Sequence, residues 1–186
     1  MKNIIVGIDY SLTCPCMCVS DSSDFFGSKF YCLTSVKKNV GVFLNKTITG
    51  VLHQDYKSQE ERHDNISDFF IKRIPERFVE SDVSPKIIIE DYSFGSKGRV
   101  FNLAENMGLL KYKFWKYDMN FELVPPTVLK KFATGKGNAN KEAMYEKFVK
   151  ETGVDLQEIL FPGRKLGNPV TDIVDSYYLM KWGFSQ

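Results

Sequence analysis

Four acidic residues carry the chemistry that this sequence suggests. Asp9 closes the apolar run 4–8 and Glu90 closes the run 86–89, so each carboxylate is predicted to leave the end of a buried β-strand. Asp172 and Asp175 stand three residues apart near the C-terminus, a helical spacing that places both on one face. Four carboxylates gathered in this way would be oxygen donors for a hard divalent cation.

The predicted chemistry is metal-dependent cleavage of a phosphodiester bond. Two Mg²⁺ ions roughly 3.5–4 Å apart can activate a water and stabilise the leaving oxygen, and Mn²⁺ is expected to substitute for Mg²⁺. An acid at a strand end is also a common turn or capping residue, so each acid taken singly has a structural alternative. The pair Asp172 and Asp175 favours the metal site, because the surrounding helix is apolar and unpaired buried carboxylates are costly.

Composition favours one α/β domain over residues 1–186. The chain is 43% hydrophobic and 14% aromatic, which is enough to bury one core. It has no apolar stretch of membrane-spanning length, and its N-terminus runs directly into a predicted strand. We therefore expect a soluble intracellular protein, in the cytoplasm or another compartment that contains DNA, with no membrane partner.

The four cysteines have neither zinc-knuckle spacing nor an evident paired framework. Cys14, Cys16 and Cys18 alternate along one short segment. If that segment is extended, the three thiols share one face and are predicted to be small buried hydrophobes.

Charge is distributed unevenly along the chain. Residues 125–150 hold six lysines and two glutamates, whereas residues 51–91 hold ten acids and six bases, which indicates a phosphate-facing side. The glycines of segment 135–141 would let backbone amides approach a phosphate, and Lys136 and Lys141 would add charge there. The basic surface is extended by Lys97, Arg99, Arg164 and Lys165, with a solvated side chain as the alternative for each.

Periodicity predicts a mixed five-stranded sheet flanked by helices. The first three strands are expected to form a meander, and segment 40–56 is expected to be a hairpin or flap inserted before the first helix. Helical patterns include a core-facing stripe in the second helix and normal start signals at Asn140 and Pro169. The predicted strands are 3–9, 15–20, 29–35, 86–90 and 120–124, and the predicted helices are 58–78, 99–117, 141–152 and one that follows Asn168.

The order of four motifs resembles that of the RuvC-like Holliday junction resolvases, which have the ribonuclease H fold. Residues 7–13 are similar to the first motif of that family and residues 88–92 to the second. Residues 125–131 followed by 134–141 resemble its P-x-x-x-K-K and G-x-G-x-A-x-K signatures, and the Asp-x-x-Asp pair near the C-terminus resembles its last motif. The resemblance spans most of the chain, although Tyr10 stands where the family commonly has proline.

The resemblance implies a role for each matched residue. Asp9, Glu90, Asp172 and Asp175 match the metal-binding acids, and Lys141 matches the lysine beside the scissile phosphate. Tyr92 or Phe94 matches the aromatic residue that inserts at the junction centre, and both stay open. The further expected DNA contacts are Lys97, Arg99, Lys130, Lys131, Lys136 and Asn138.

The resemblance also implies a homodimer that makes paired cuts, with Met107, Leu110 and Phe114 as candidate dimer contacts. The expected function is a metal-dependent, structure-selective endodeoxyribonuclease that resolves four-way junctions and related branched DNA. A ribonuclease acting on RNA–DNA hybrids would use the same acids, and a non-catalytic module that binds branched DNA is a third interpretation. A sugar kinase or actin-like ATPase is disfavoured, because the chain lacks a glycine-rich phosphate turn and room for a second lobe.

Overall fold

A computed structural model describes residues 3–76, 84–92 and 100–186 of the chain. Its strands form one mixed sheet in the order β4-β5-β3-β2-β1-β6-β7. The strands are β1 (Ile5–Asp9), β2 (Cys16–Ser20), β3 (Lys29–Thr34), β4 (Gly41–Phe43), β5 (Ile48–Leu52), β6 (Lys86–Glu90) and β7 (Phe121–Val124).

All five predicted strands are present, and β1, β2 and β3 form the predicted antiparallel meander. The predicted strand count was wrong, because β4 and β5 extend the sheet to seven strands. These two strands pair antiparallel, and β5 runs parallel to β3. Neither has a clear hydrophobic signal: β4 has three residues, and β5 contains a glycine.

Six α-helices occur in the described residues, two more than predicted. α3 was missed although Pro126 occupies its first turn, a favoured position, and α5 is only five residues long. The predicted ends of the first helix beyond residue 76, and of the second before residue 100, lie outside the described residues. The helices are α1 (Gln59–Glu76), α2 (Val100–Lys116), α3 (Pro126–Thr134), α4 (Lys141–Thr152), α5 (Leu156–Leu160) and α6 (Val170–Ser185).

The sheet separates two hydrophobic cores. Strand side chains alternate between its faces, so Ile5 joins the core formed with α3, α4 and α6, whereas Val6 and Ile8 join the core formed with α1 and α2. By the same alternation, the strand-end residues Asp9 and Glu90 belong to the α6 face of the sheet.

Gly7 allows α6 to lie directly on β1. A Cβ atom at this position would lie 2.4 Å from both the Met180 nitrogen and the Ser176 oxygen, so any side chain would push the helix away. The backbone of α6 is therefore held against the strand that ends at Asp9. None of the described helices is long and apolar enough to cross a membrane.

All four cysteines are buried, as predicted for Cys14, Cys16 and Cys18, but they differ in their bonding. Cys16 and Cys32 lie opposite each other in the β2–β3 register, with Cα atoms 4.2 Å apart, and form a disulfide. Cys18 is a free thiol in the core beneath α6. Cys14 precedes β2 and lies beside an acid of α6. The pairing was missed because it depends on the cross-strand register, which spacing along the chain does not reveal.

Candidate active site

Two adjacent parallel strands bring the first two acids to one edge of the sheet. Ile8 pairs with Ile89 in the parallel register of β1 and β6, so Asp9 and Glu90 follow at the same level. Both strands are apolar and buried up to that point, which fixes their ends firmly. The prediction that these carboxylates emerge at strand tips therefore agrees with the backbone.

The other two acids come from the beginning of α6. Asp172 lies in its first turn and Asp175 follows three residues later. Because α6 packs closely on β1 at Gly7, the start of the helix reaches the strand ends. Ile173 and Val174 are buried in the core, which holds this turn in place.

The four acids line one open cavity of about 400 Å³, which we call the acid cavity. Its walls come from the strand ends, α2, α3, α4 and α6. Its other lining residues are Tyr10, Ser11, Thr13, Asp91, Tyr92, Leu103, Met107, Pro126, Lys130, Lys141, Met144 and Asn168.

Burial and mutual repulsion make the carboxylates of the acid cavity reluctant to ionise together. Burial, followed by the negative charges of Asp172, Glu90 and Asp175, raises the pKa of Asp9 well above its usual range. Burial and the charge of Asp175 raise the pKa of Glu90 to about 8, although Lys130 and Lys141 oppose this change. When all four acids are ionised, the site carries more negative charge than its own lysines balance.

The α6 acids show the same effect to a smaller extent. Burial raises the pKa of Asp172 to about 7, against the opposing charge of Lys141. Burial likewise raises the pKa of Asp175 to about 6, against Lys141 and Lys130. Asp172 is only 3% exposed and its Oδ2 atom is buried without a hydrogen-bond partner. The neighbouring Cys14 thiol and the Asp9 carboxyl lower the pKa of the same carboxylate, in opposition to burial.

The donor set of the acid cavity fits a divalent cation. It consists of hard carboxylate oxygens, it is short of positive charge, and it includes an unpartnered buried oxygen on Asp172. As the side chains stand in the described part of the chain, no group of three or more His, Cys, Asp or Glu residues is arranged to hold a metal ion. The fit therefore lies in donor type and charge, and no coordination geometry is assigned.

Lys141 reaches the acid cavity from the first position of α4. Asn140 caps this helix by accepting a hydrogen bond from the Ala143 amide at 2.9 Å. The Lys141 ammonium donates to Thr171 Oγ1 at 3.3 Å, and Thr171 Oγ1 donates to Asn168 Oδ1 at 2.9 Å. These hydrogen bonds hold the lysine beside the acids, and its direct partner is the neutral hydroxyl of Thr171.

The predicted DNA contacts fall in different places. Tyr92 and Lys130 line the acid cavity, whereas Lys131 does not. Lys136 and Asn138 lie instead in a separate open groove of about 600 Å³, between α3 and α4, together with Lys147 and Lys150. The remaining predicted contacts lie outside the described residues: Phe94, Lys97 and Arg99.

Several residues around the acids were not predicted from the sequence. Thr171 and Asn168 hold Lys141, Cys14 contacts Asp172, and Asp91 adds a fifth carboxylate to the cavity wall. Only Asp91 had a signal in the sequence, because it directly follows the acid at the end of β6. The others have residue types that are common in loops and helix starts.

The fold is similar to that of solved Thermus thermophilus RuvC structures. No family model and no curated protein matches the sequence. A Thermus thermophilus RuvC structure matches with a TM-score of 0.55 at 12% identity, over 98% of this chain and 95% of that chain. T. thermophilus RuvC in complex with a Holliday junction substrate matches with a TM-score of 0.57 at 12% identity, over 96% of this chain and 91% of that chain. The predicted resemblance is confirmed at the level of the fold, which is ribonuclease H-like.

Proposed function

We propose that this chain is a divalent-metal-dependent endonuclease that cuts four-way junctions and related branched DNA. The observation that carries the proposal is the acid cavity itself. Carboxylates from β1, β6 and α6 meet there beside Lys141, on a fold similar to that of RuvC. Gathering four mutually repelling acids around one opening costs free energy, and such clusters are typical of functional sites.

Asp9, Glu90, Asp172 and Asp175 would hold the metal. Two Mg²⁺ ions, or Mn²⁺ in their place, would supply activation of water and stabilisation of charge on the leaving oxygen. Lys141 would face the scissile phosphate, because its ammonium is fixed by Thr171 and not by a carboxylate. Lys130 would add a second positive charge at the cavity wall, as its effect on the Glu90 pKa indicates.

The branched substrate is supported by the solved relative with a Holliday junction substrate. Tyr92 lines the acid cavity, and its ring has the ammonium of Lys111 5.7 Å from its centroid. An aromatic ring at this place could stack on an unpaired base at a branch point. Lys136 and Asn138 would contact the phosphates of a DNA arm in the groove between α3 and α4.

We also propose that two copies act together, because a four-way junction has pseudo-two-fold symmetry and a two-fold dimer presents two equivalent sites. The candidate contacts Met107, Leu110 and Phe114 are buried core residues, so their side chains cannot contact a second copy. The opposite face of α2 exposes Phe101, Tyr112 and Trp115 by 78%, 52% and 74%. Spacings of eleven and fourteen residues place these rings on one side of the helix, which supports that face as the contact with a second copy.

Cleavage of matched synthetic substrates tests the function. A four-way junction, a fork, a linear duplex and an RNA–DNA hybrid of the same sequence are incubated with the protein, with Mg²⁺ or with EDTA. We expect cuts in the branched DNA only, and only with Mg²⁺. Preferred cleavage of the hybrid would assign the ribonuclease activity instead, and junction binding without any cleavage would assign the non-catalytic module.

Sedimentation of the free protein and of its junction complex tests the dimer. We expect a dimer that Trp115→Glu, at the C-terminal end of the exposed aromatic face, converts to a monomer. Lys29→Glu introduces the same side chain on β3, away from α2, and should leave the dimer intact. A wild-type protein that is monomeric both free and on the junction would contradict the proposal.

A further inference from the structure

A second pocket, of about 170 Å³, lies beside the acid cavity. It is enclosed by the 3₁₀ turn Lys37–Asn39 on one side and by the connection between α5 and α6 on the other. Asn168 lines both openings, so the two pockets are immediate neighbours. Taking the proposed nuclease function as given, we propose that this pocket binds one nucleotide of the cleaved strand and reads its base.

Two amide side chains give the pocket unused hydrogen-bonding capacity. Asn39 is only 8% exposed, and its Oδ1 atom has no hydrogen-bond partner among the protein atoms of the described chain. The Oε1 atom of Gln157 is also buried and without a partner. The Gln157 amide is fixed, because its Nε2 donates to the carbonyls of Phe161 at 3.1 Å and Arg164 at 3.2 Å. Buried acceptors without partners cost free energy, which a ligand that donates hydrogen bonds would recover.

The acceptors define which bases fit. Adenine, cytosine and guanine carry an exocyclic amino group that can donate to a carbonyl oxygen, whereas thymine does not. A pocket that presents Gln157 Oε1 in a fixed orientation should therefore favour the three amino-bearing bases over thymine. Phe161 and Val36 supply an aromatic ring and an apolar side chain against which the base can pack.

Three cations surround the same pocket. Lys38, Arg164 and Lys165 line it and are exposed, and no acidic residue lines it. Within the described ranges, none of the three forms an ion pair. Their charge is therefore available for the phosphate attached to the bound base. With a volume of about 170 Å³, the pocket admits a single base but not a duplex.

The position of Asn39 is built into the fold. The 3₁₀ turn lies so close to β5 that a Cβ atom at Gly50 would sit 1.9 Å from the Asn39 carbonyl oxygen. The backbone N–H of Asn39 donates to the Val36 carbonyl at 2.9 Å within this turn. The backbone at Asn39 is therefore held close to β5 in the wall of the pocket.

Nucleotide binding is measured without any cleavage. Side-chain amide signals of the ¹⁵N-labelled protein are followed in EDTA during titration with each deoxynucleoside 5′-monophosphate and with inorganic phosphate. The two signals of the Gln157 side-chain NH₂ group are identified by their absence from the spectrum of Gln157→Glu. We expect dAMP, dCMP and dGMP to shift the Asn39 and Gln157 signals with roughly three- to tenfold lower Kd than dTMP, the value of one net hydrogen bond. Phosphate alone should leave them in place.

Two adjacent lysines provide the control for the charge. Lys38 lines the pocket and Lys37 does not, although both belong to the same 3₁₀ turn. Lys38→Ala should weaken binding of all four nucleotides by roughly three- to tenfold, whereas Lys37→Ala should not. Asn39→Leu, with its folding checked by the backbone spectrum, should reduce the discrimination against thymine.

The outcomes separate the pocket from the nuclease. Equal shifts with inorganic phosphate and with all four nucleotides would reduce the pocket to an anion site, and no shift up to about 10 mM, a free energy of only about −3 kcal/mol, would remove it altogether. Either result overturns the inference even if junctions are cleaved. If nucleotides bind as expected but no branched DNA is cleaved with Mg²⁺, the proposed function fails while the pocket remains.

Discussion

Two clusters of charged side chains in this chain differ in how far their positive and negative charges balance. In the first, which we call the paired cluster, Lys113 of α2 contacts Asp64 Oδ1 at 2.6 Å and Asp68 Oδ1 at 2.5 Å, both from α1. Burial raises the pKa of Asp68, but hydrogen bonds from Lys113 and Lys72 outweigh it, so the pKa ends below its usual range. Every charge there has a partner within the protein.

The acid cavity lacks that balance. Its five carboxylates, Asp91 included, face two lysines, and burial raises the pKa of Glu90 to about 8 in spite of both. Lys113 is held by carboxylates, whereas Lys141 is held by the hydroxyl of Thr171. The paired cluster therefore stabilises the packing of α1 on α2, whereas the acid cavity, once its acids are ionised, retains unbalanced charge that a cation can neutralise.

The largest expected difference is in cleavage. Asp9→Asn, Glu90→Gln and Asp175→Asn should each lower the rate of junction cleavage by about a thousandfold or more, because each removes a carboxylate donor and the charge it supplies. Junction binding should persist, since each variant protein only loses a negative charge that repels the DNA. Asp68→Asn in the paired cluster is the matched control and should cut at nearly the wild-type rate.

Cleavage is measured under single-turnover conditions at saturating Mg²⁺, and binding by gel shift in EDTA. Near-normal turnover by any one of the three cavity variants would remove that residue from the site. A loss of cleavage in Asp68→Asn as large as that in Asp9→Asn would erase the distinction between the two clusters.

A smaller loss is expected from the lysine of the acid cavity. Lys141→Ala should lower the single-turnover rate by about 10²- to 10³-fold, as expected when charge in the transition state loses a positioned partner. Lys147→Ala, on the same helix but in the outer groove, should alter affinity slightly and leave the rate unchanged. If both variants lose only affinity and cut normally once bound, Lys141 is a general phosphate contact.

Much of this arrangement could be predicted from local patterns. Apolar runs that end in an acid predicted both strand tips, and the i, i+3 spacing predicted the shared face of Asp172 and Asp175. These features depend on a few neighbouring residues, which a sequence displays directly. The paired cluster was not predicted, because Lys113 lies 45 residues from Asp68 and nothing in either segment indicates the other.

What depends on tertiary contact was missed. Lys130 and Lys131 are adjacent in one motif, yet only Lys130 lines the acid cavity, because the rotation of α3 decides which of them faces the acids. Gly7 was recognised only as part of a motif, although its lack of a side chain lets α6 approach β1. Thr171 had no signal at all, since its role depends on a lysine thirty residues away.

Stability should change in opposite directions in the two clusters. In EDTA at pH 8, Asp175→Asn should raise the melting temperature, because it removes a charge that repels its neighbours. Asp68→Asn should lower it by about 2–4 °C, equivalent to about 1 kcal/mol for a chain of this size. Thermal unfolding followed by circular dichroism measures both, and equal signs would contradict the comparison.

The same difference predicts how stability depends on pH. The carboxyl pKa values of about 6, 7 and 8 in the folded state lie above those of the unfolded chain, so the folded state binds more protons. Without metal, the free energy of unfolding should therefore fall as pH rises from about 4 to about 8. Mg²⁺ should restore stability at pH 8 and have little effect at pH 5, where the acids are protonated. A stability that rises across this pH range in EDTA would contradict the prediction.

The smallest expected effect concerns the hydroxyl that holds Lys141 in place. Thr171→Val keeps the shape of the side chain but removes the hydroxyl that accepts from Lys141, so it should lower the single-turnover rate by roughly three- to tenfold. Thr171→Ser should restore most of that rate, and the junction Kd should stay unchanged in both variants. Among the described residues the Lys141 ammonium forms no ion pair, so its placement depends on this one hydroxyl. An equal loss in the valine and serine variants would instead assign Thr171 to the packing of α6, with no part in placing the lysine.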